Sequence, residues 1–65
     1  MQVQAQEVAD RSHTLLLTVA ESAEELRISR ANLYKLMRSG AVPSIHIGQR
    51  RLIRRSDLAA FIASL

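Results

Sequence analysis

The sequence predicts a small α+β domain of three helices and one β-hairpin. Two segments begin with helix-capping signals, a third carries apolar residues at helical spacing, and one stretch alternates apolar and polar residues before a glycine. These patterns are typical of amphipathic helices and of a hairpin. A sequence of 65 residues has room for one domain. We expect residues 15–65 to form it and the polar residues 1–14 to form a flexible N-terminal tail.

The first elements are a short apolar stretch and a helix. Residues 15–17 are expected to form a small strand or an extended lead-in against the core. Thr18 and Glu21 have the spacing of a capping box, in which each side chain accepts from the other residue's backbone N–H. The helix that follows, Val19–Leu26, buries one face in this prediction. Its glutamates are interpreted as a solvated face rather than as paired catalytic carboxylates.

The second helix, within residues 29–40, has both ends marked. Ser29 can accept from a free backbone N–H, and Gly40 can take the left-handed conformation that closes a helix. Arg27 and Ile28 link it to the first helix, which gives a helix-turn-helix arrangement with Ile28 beneath the turn. Basic residues lie opposite the apolar stripe. That inward stripe consists of Leu33, Leu36 and Met37.

A β-hairpin is predicted after the second helix. The alternation places Ile45 and Ile47 inward and His46 outward. A turn is expected at residues 48–50, because glycine accepts a positive φ without strain. Residues 51–54 would form the returning strand. Arginines then lie at the tip of the hairpin and on its outer side, where they can reach a nucleic-acid backbone.

The last helix is predicted to begin at Ser56, whose side chain would cap it. Asp57 is favourably placed in the first turn, near the positive end of the helix dipole. Apolar residues follow at i, i+3, i+4 and i+7, which predicts a core-facing stripe. The members of this stripe are Leu58, Phe61, Ile62 and Leu65.

Charge is strongly segregated along the chain. Residues 27–55 contain eight basic residues and no acid, although the net charge of the whole chain is only +3. Such a local positive potential is typical of proteins that bind polyanions, above all nucleic acids. A surface that serves solubility alone usually interleaves the two signs.

Composition argues against several other classes of protein. The chain has no cysteine and two histidines, so neither a disulfide framework nor a structural zinc site is expected. No apolar run approaches the roughly 20 residues of a membrane span, and no signal peptide is recognisable. No phosphate loop or nucleophile–base pair indicates an enzyme. We therefore expect an intracellular protein with no catalytic residue, cofactor or small-molecule effector.

Six segments carry a family resemblance, with x for any residue: LTVxE (17–21), ISR (28–30), LYKLMRSG (33–40), VP (42–43), IGQR (47–50) and IxRSDL (53–58). With these segments, residues 17–62 resemble the excisionase-type, MerR-like helix-turn-helix family. The resemblance implies a winged helix-turn-helix domain. The helix Arg30–Ser39 would enter the major groove of DNA, and the hairpin at residues 45–53 would approach the neighbouring minor groove as a wing. Arg27 stands where the family usually has glycine, which implies a positive φ there.

The resemblance also implies a role. Excisionases of this kind are not enzymes; they bind repeated sites, often cooperatively, and bend DNA so that a separate integrase carries out excision rather than integration. Expected partners are double-stranded DNA, a tyrosine or serine integrase and further copies of the chain on DNA, in the cytoplasm of a bacterial host. Two alternatives stay open: a small transcriptional repressor or antitoxin-like regulator with the same fold, and a protein-interaction module that does not bind DNA.

Candidate DNA contacts follow from residue chemistry. Arg30 and Lys35 can bind guanine or phosphate, and Asn32 can pair with adenine or assist the helix cap. The Tyr34 hydroxyl can reach a phosphate, or its ring can pack against the wing. Arg55 is interpreted as a possible structural residue. Candidates on the recognition helix are Ser29, Arg30, Ala31, Asn32, Tyr34, Lys35 and Arg38, and those on the wing are His46, Gln49, Arg50, Arg51 and Arg54.

Overall fold

The computed structural model describes residues 13–65. The tail predicted over residues 1–14 lies, as far as residue 12, outside the described residues. The elements are, in chain order, β1 (Leu16–Thr18), α1 (Val19–Leu26), α2 (Arg30–Ser39), β2 (Ile45–Ile47), β3 (Arg50–Arg54) and α3 (Arg55–Ala63).

The three strands form one antiparallel sheet in the order β1-β3-β2. β3 is central: Leu17 of β1 is opposite Ile53, and Ile45 of β2 is opposite Leu52. Leu17 and Ile53 are both completely buried. Three helices and a small antiparallel sheet confirm the predicted α+β fold class, with β1 as a third strand beside the hairpin.

The core lies between the helices and one face of the sheet. The predicted stripe of α2 is confirmed: Leu33 and Met37 are buried, and Leu36 packs against the core from the edge. Ile28 is half-buried beneath the turn between α1 and α2, as expected. The buried apolar residues are Leu17, Val19, Ala23, Leu33, Met37, Val42, Ile53 and Leu58.

Helix α1 begins with the predicted capping box. The Glu21 N–H donates to Thr18 Oγ1 at 3.1 Å, and the Thr18 N–H donates to Glu21 Oε1 at 2.9 Å. The hydroxyl of the completely buried Ser22 donates to the Thr18 carbonyl oxygen at 2.8 Å. The start of α1 therefore has its polar groups satisfied by side chains of the same turn.

The turn between α1 and α2 depends on a left-handed residue. Arg27 has φ 59° and ψ 41°, which confirms the positive φ implied at this position. The Ile28 N–H donates to the Ala23 carbonyl at 3.0 Å, closing α1. Ser29 then caps α2 by accepting from the Asn32 N–H at 3.1 Å. Gly40, with φ 85°, ends α2 as predicted.

The hairpin differs from the prediction in its turn and its register. Ile47 pairs with Arg50, so the turn consists of Gly48 and Gln49 alone, and Arg50 belongs to β3. Gly48 has φ 62°. Gln49 has a negative φ, because Arg27 is the only described non-glycine residue with a positive φ. These signs match a type II′ turn, whose twist suits a two-residue hairpin.

The inward orientation predicted for Ile45 and Ile47 is wrong. Successive strand residues point to opposite faces, so the buried Ile53 puts its neighbour Leu52 on the other face. Ile45 pairs with Leu52 and shares that face; so does Ile47, opposite Arg50. Ile45 is half-buried, but Ile47 is 53% exposed at the end of the sheet.

Strand β1 begins one residue later than predicted. Leu15 is 81% exposed, whereas Leu17 is completely buried. The pairing of Leu16 with Arg54 begins the contact between β1 and β3. An apolar run of three leucines gives no internal signal of which residue pairs first, so this boundary depends on the partner strand.

Helix α3 also differs from the prediction. Ser56 is not its cap, because β3 runs directly into a helix that begins at Arg55. Arg54 occupies the cap position, but its side chain makes no capping hydrogen bond, and the Arg55 N–H donates to the Leu15 carbonyl at 2.9 Å. The carbonyl of Leu15, next to β1, therefore satisfies the first N–H of α3, and the helix begins one residue before Ser56.

The core stripe of α3 is shorter than predicted. Leu58 is buried and Phe61 packs against the core, but Ile62 is 53% and Leu65 87% exposed. The helix ends at Ala63, before Leu65. Only the part of α3 near the sheet therefore contributes to the core.

Candidate nucleic-acid interface

The face of α2 opposite its buried stripe is exposed and basic. Helix geometry places Ala31, Lys35 and Arg38 on this face, about 100° or more from Leu33 and Met37. All three side chains are exposed. No acid occurs in the first turn, and Arg38 lies in the last turn, where it complements the negative end of the helix dipole.

Asn32 and Tyr34 flank this face on opposite sides. Both are exposed, Tyr34 to 40%. Arg30, Tyr34 and Arg38 follow at intervals of four and so form one row along the helix. The Ser29 hydroxyl oxygen accepts from the backbone N–H of Asn32. This cap does not use the side-chain amide of Asn32, which is exposed to solvent.

Most of the basic residues in the acid-free segment are not neutralised by an acid. Six of the eight are exposed and make no ion pair with any acid among residues 13–65. In water, such charges maintain a positive potential that attracts a polyanion. These six are Arg27, Arg30, Lys35, Arg38, Arg50 and Arg51.

The other two basic residues have partners within the fold. Arg54 Nη1 lies 3.4 Å from Asp57 Oδ2, in an exposed pair across the β3–α3 junction. Arg55 Nε donates to the Thr14 carbonyl at 2.8 Å, and its Nη1 lies 3.3 Å from Glu25 Oε1. Arg55 is therefore structural, as the sequence had suggested.

The register of β3 divides the arginines of the hairpin between its two faces. Arg51 shares a face with the buried Ile53, which is the face toward the helices. Arg50 and Arg54 lie on the opposite face. His46 pairs with Arg51 and therefore lies on the helix-facing side, not outward as predicted, although it is exposed. Gln49 is exposed in the turn. Candidate contacts at Arg50 and Arg51 thus point in different directions.

Arg51 connects the hairpin to α2. Its guanidinium carbon lies 6.0 Å from the centre of the Tyr34 ring, at the outer limit of a cation–π contact. Its Nε donates to the Ser44 hydroxyl oxygen at 3.1 Å. Sequence reasoning had left open whether Tyr34 packs against the wing, and the structure brings the two together.

Ser44 was missed as a site residue. It immediately precedes β2, outside the strands predicted for the hairpin. Its contact with Arg51 spans seven positions and depends on the pairing of β2 with β3. A correct register for the second strand would have placed Arg51 on the helix-facing side and would have suggested this contact.

Other kinds of site find little support in residues 13–65. Within this range, no group of three or more His, Cys, Asp or Glu side chains could hold a metal ion. None of the helices in the same range is long and apolar enough to cross a membrane.

Comparison with known families decides what this arrangement is. The profile of the family described as "Helix-turn-helix domain" matches residues 16–65. The chain belongs to this helix-turn-helix family. Helices α1 and α2 are the two helices of the motif, residues 27–29 form its turn, and the β2–β3 hairpin follows as the wing.

Curated relatives agree with the assignment. A protein of Saccharopolyspora erythraea named "Probable excisionase" is 39% identical over 51 residues, which cover 78% of this chain and 52% of the relative. Two strains of Mycobacterium tuberculosis have a protein named "Putative DNA-binding protein" that is 38% identical over 39 residues, or 60% of this chain and 50% of the relative. The chain thus spans about half the length of the curated relatives it matches. No solved structure gave a significant match.

The helix-turn-helix assignment confirms the helix-turn-helix resemblance predicted from the sequence. Within that motif, α2 is the second helix and carries the exposed basic face. The wing follows it after five residues and returns beside α2 through the Tyr34–Arg51 contact.

Proposed function

We propose that this helix-turn-helix chain binds double-stranded DNA, with α2 in the major groove and the wing beside the neighbouring backbone or minor groove. The observation that carries the proposal is the set of exposed basic side chains, free of acidic partners among residues 13–65, on the outer face of α2 and on the wing. Proteins bind DNA largely by neutralising phosphates with such residues.

Helix α2 has the size and chemistry for this role. Its ten residues span about 15 Å at 1.5 Å per residue, comparable with the roughly 12 Å width of the major groove. Second helices of such motifs contact base edges with their N-terminal residues. Arg30 is therefore assigned to guanine or phosphate and Asn32 to adenine, with Lys35 in the middle of the groove.

The wing supplies a second set of DNA contacts. Arg50 follows the two-residue turn on the outer face of β3, so it is the wing residue best placed for a phosphate or the minor groove. Gln49 lies beside it at the tip, whereas His46 pairs with Arg51 and lies on the opposite face. Arg54 is assigned a weaker contact, because it already pairs with Asp57. Phosphate contacts of this kind fix the register of a protein on DNA.

The biological role proposed is that of an excisionase. The chain would bind repeated sites cooperatively, bend the DNA, and so direct a tyrosine or serine integrase toward excision, without catalysing a reaction itself. The name of the Saccharopolyspora erythraea relative supports this role. Partners would then be DNA, the integrase and further copies of the chain, in the bacterial cytoplasm.

A salt titration tests DNA binding. Fluorescence anisotropy would measure the affinity for a duplex that the protein selects from a randomised library. Each phosphate contact contributes about −0.9 to the slope of log affinity against log salt, so five or six contacts give a slope of about −5. Affinity that stays constant between about 50 and 200 mM salt contradicts the proposal. S56A, at an exposed position in α3, is the control; R30Q/K35Q is expected to bind weakly.

A second candidate role is a small transcriptional repressor or antitoxin-like regulator. The mycobacterial relatives favour it to the extent that their name mentions DNA binding without excision. Footprinting and bending assays on an attachment site and on the promoter of the chain's own gene separate the roles. An excisionase bends the attachment site and increases excision by its integrase. A regulator protects the promoter and leaves excision unchanged.

A further inference from the structure

We propose that Arg51 is a positioning residue, which fixes the wing at the correct distance from α2, rather than a DNA contact. This inference rests on the proposed DNA binding and assigns a residue within that interface. It follows from the Tyr34–Arg51–Ser44 cluster, in which one guanidinium contacts a ring on α2 and a hydroxyl at the start of β2.

The register of β3 determines the direction of the Arg51 side chain. Arg51 lies two residues before the buried Ile53 and therefore on the same face of the strand. That face packs against the helices. Arg50, the residue before Arg51, points away from them. Adjacent arginines thus have different roles: Arg50 is available to phosphate, and Arg51 is directed toward Tyr34.

The two contacts of Arg51 restrain the far end of the connection between α2 and β2. Its near end is already held, because the N–H groups of residues 40–42 donate to carbonyls of α2. Residues 40–44 lead from α2 to β2, and Val42 is their only completely buried member. Arg51 Nε holds Ser44 at the end of this connection, at 3.1 Å. Its guanidinium lies over Tyr34, in the middle of α2. The cluster therefore joins the helix, the connection and the returning strand at one point.

Arginine is suited to this role in a way that lysine is not. A planar guanidinium can stack on a ring while its Nε–H donates sideways to a hydroxyl. An ammonium group has the same charge without the plane or the Nε–H. The substitution R51K therefore preserves any attraction to phosphate and removes the positioning geometry, which separates the two roles.

The test compares R51K, Y34L and the control S56A with the wild-type protein on the selected duplex. R51K and Y34L are each expected to lower affinity about five- to tenfold with an unchanged salt slope. The double variant R51K/Y34L should lose no more than R51K alone, because R51K already removes the contact with Tyr34 as well as the bond to Ser44. S56A, at an exposed position outside the interface, should bind like the wild type.

Two results overturn the proposal. If R51K binds like the wild type while R51A lowers the salt slope by about 0.9, Arg51 contacts a phosphate. If the losses of R51K and Y34L add, the two residues act independently. Thermal melting of each variant checks that the domain is folded, so that a loss of affinity is not a loss of structure.

An NMR measurement on the free protein separates this inference from the proposed function. Nuclear Overhauser effects between the Arg51 side chain and the Tyr34 ring are expected in the wild type and absent in R51K. If the wild-type protein binds no DNA, the proposed function fails and the role of Arg51 in binding fails with it. If nuclear Overhauser effects between Arg51 and Tyr34 are observed in that case, the cluster exists and only the proposed function is wrong. If they are absent, the cluster itself does not form.

Discussion

Arg55 at the start of α3 forms an ion pair with Glu25 on α1, with 3.3 Å between Nη1 and Oε1. The same guanidinium donates to the Thr14 carbonyl at 2.8 Å, and the Arg55 backbone N–H donates to Leu15. One residue thereby joins the lead into β1, the first helix of the motif and the last helix. Arg55 lies in the acid-free basic segment of the sequence, but its contacts stabilise the fold.

Replacement of Arg55 by glutamine is expected to lower stability more than DNA affinity. Both partners of the ion pair are between a quarter and a third exposed, so the pair itself is worth well under about 1 kcal/mol. Loss of the hydrogen bond to Thr14 brings the total for R55Q to about 1 kcal/mol. Urea unfolding measures this change. E25Q, which keeps the Thr14 bond, is the matched control and should cost only a few tenths of that amount. Equal costs for R55Q and E25Q would contradict a stabilising role of the Arg55–Thr14 hydrogen bond.

The capping box of α1 gives a second prediction. T18A removes the oxygen that accepts from the Glu21 N–H and is expected to cost about 1 kcal/mol of the free energy of unfolding. T18S keeps the oxygen and should stay within a few tenths of a kcal/mol of the wild type. Thermal melting of the two variants provides the comparison. Equal melting temperatures for T18A and T18S would show that the cap does not stabilise the domain.

The features that the sequence predicted correctly are those set by neighbouring residues. The Thr18–Glu21 box, the Ser29 cap and the Gly40 end each depend on side chains within three or four positions. The stripe of α2 depends on helical spacing alone. Local chemistry determines these elements, so a helix-turn-helix with an exposed basic second helix could be derived before any tertiary contact was known.

The features that it missed are set by contacts distant in sequence. Ser56 seemed a cap because nothing in the sequence shows that the Leu15 carbonyl satisfies the first N–H of α3. Ile47 alternates correctly, but alternation fixes which residues share a face and not which face is buried. In the candidate site, the separation of Arg51 from Arg50 depends on the same register. The pairing of β3 with both neighbours determines it.

The left-handed residue between α1 and α2 gives a third prediction. Arg27 has φ 59°, a conformation that costs a residue with a Cβ about 1 kcal/mol. R27G relieves this strain, while the greater freedom of glycine in the unfolded chain offsets part of the gain. We expect a net stabilisation of about 0.5 kcal/mol. The midpoint of urea unfolding, at constant m-value, measures it.

A glycine substitution at an ordinary helical position is the control for R27G. Ala20 is exposed within α1, and A20G should destabilise by about 1 kcal/mol. The two substitutions thus introduce the same residue with opposite expected signs. Destabilisation of R27G as large as that of A20G would mean that the left-handed conformation is not strained in the wild type.

The register of the hairpin gives the last prediction, tested by one substitution at two positions. Ile53 is completely buried and Ile47 is 53% exposed, although both are strand residues of the same hairpin. I53V removes a buried methylene group and is expected to cost about 1 kcal/mol. I47V should change the free energy of unfolding by less than about 0.3 kcal/mol, because valine suits a strand as well as isoleucine does and the lost surface is mostly hydrated. Urea unfolding of both variants decides the register. If I47V costs as much as I53V, Ile47 must lie in the core. Arg50, which pairs with Ile47, would then lie on the helix-facing side of the wing.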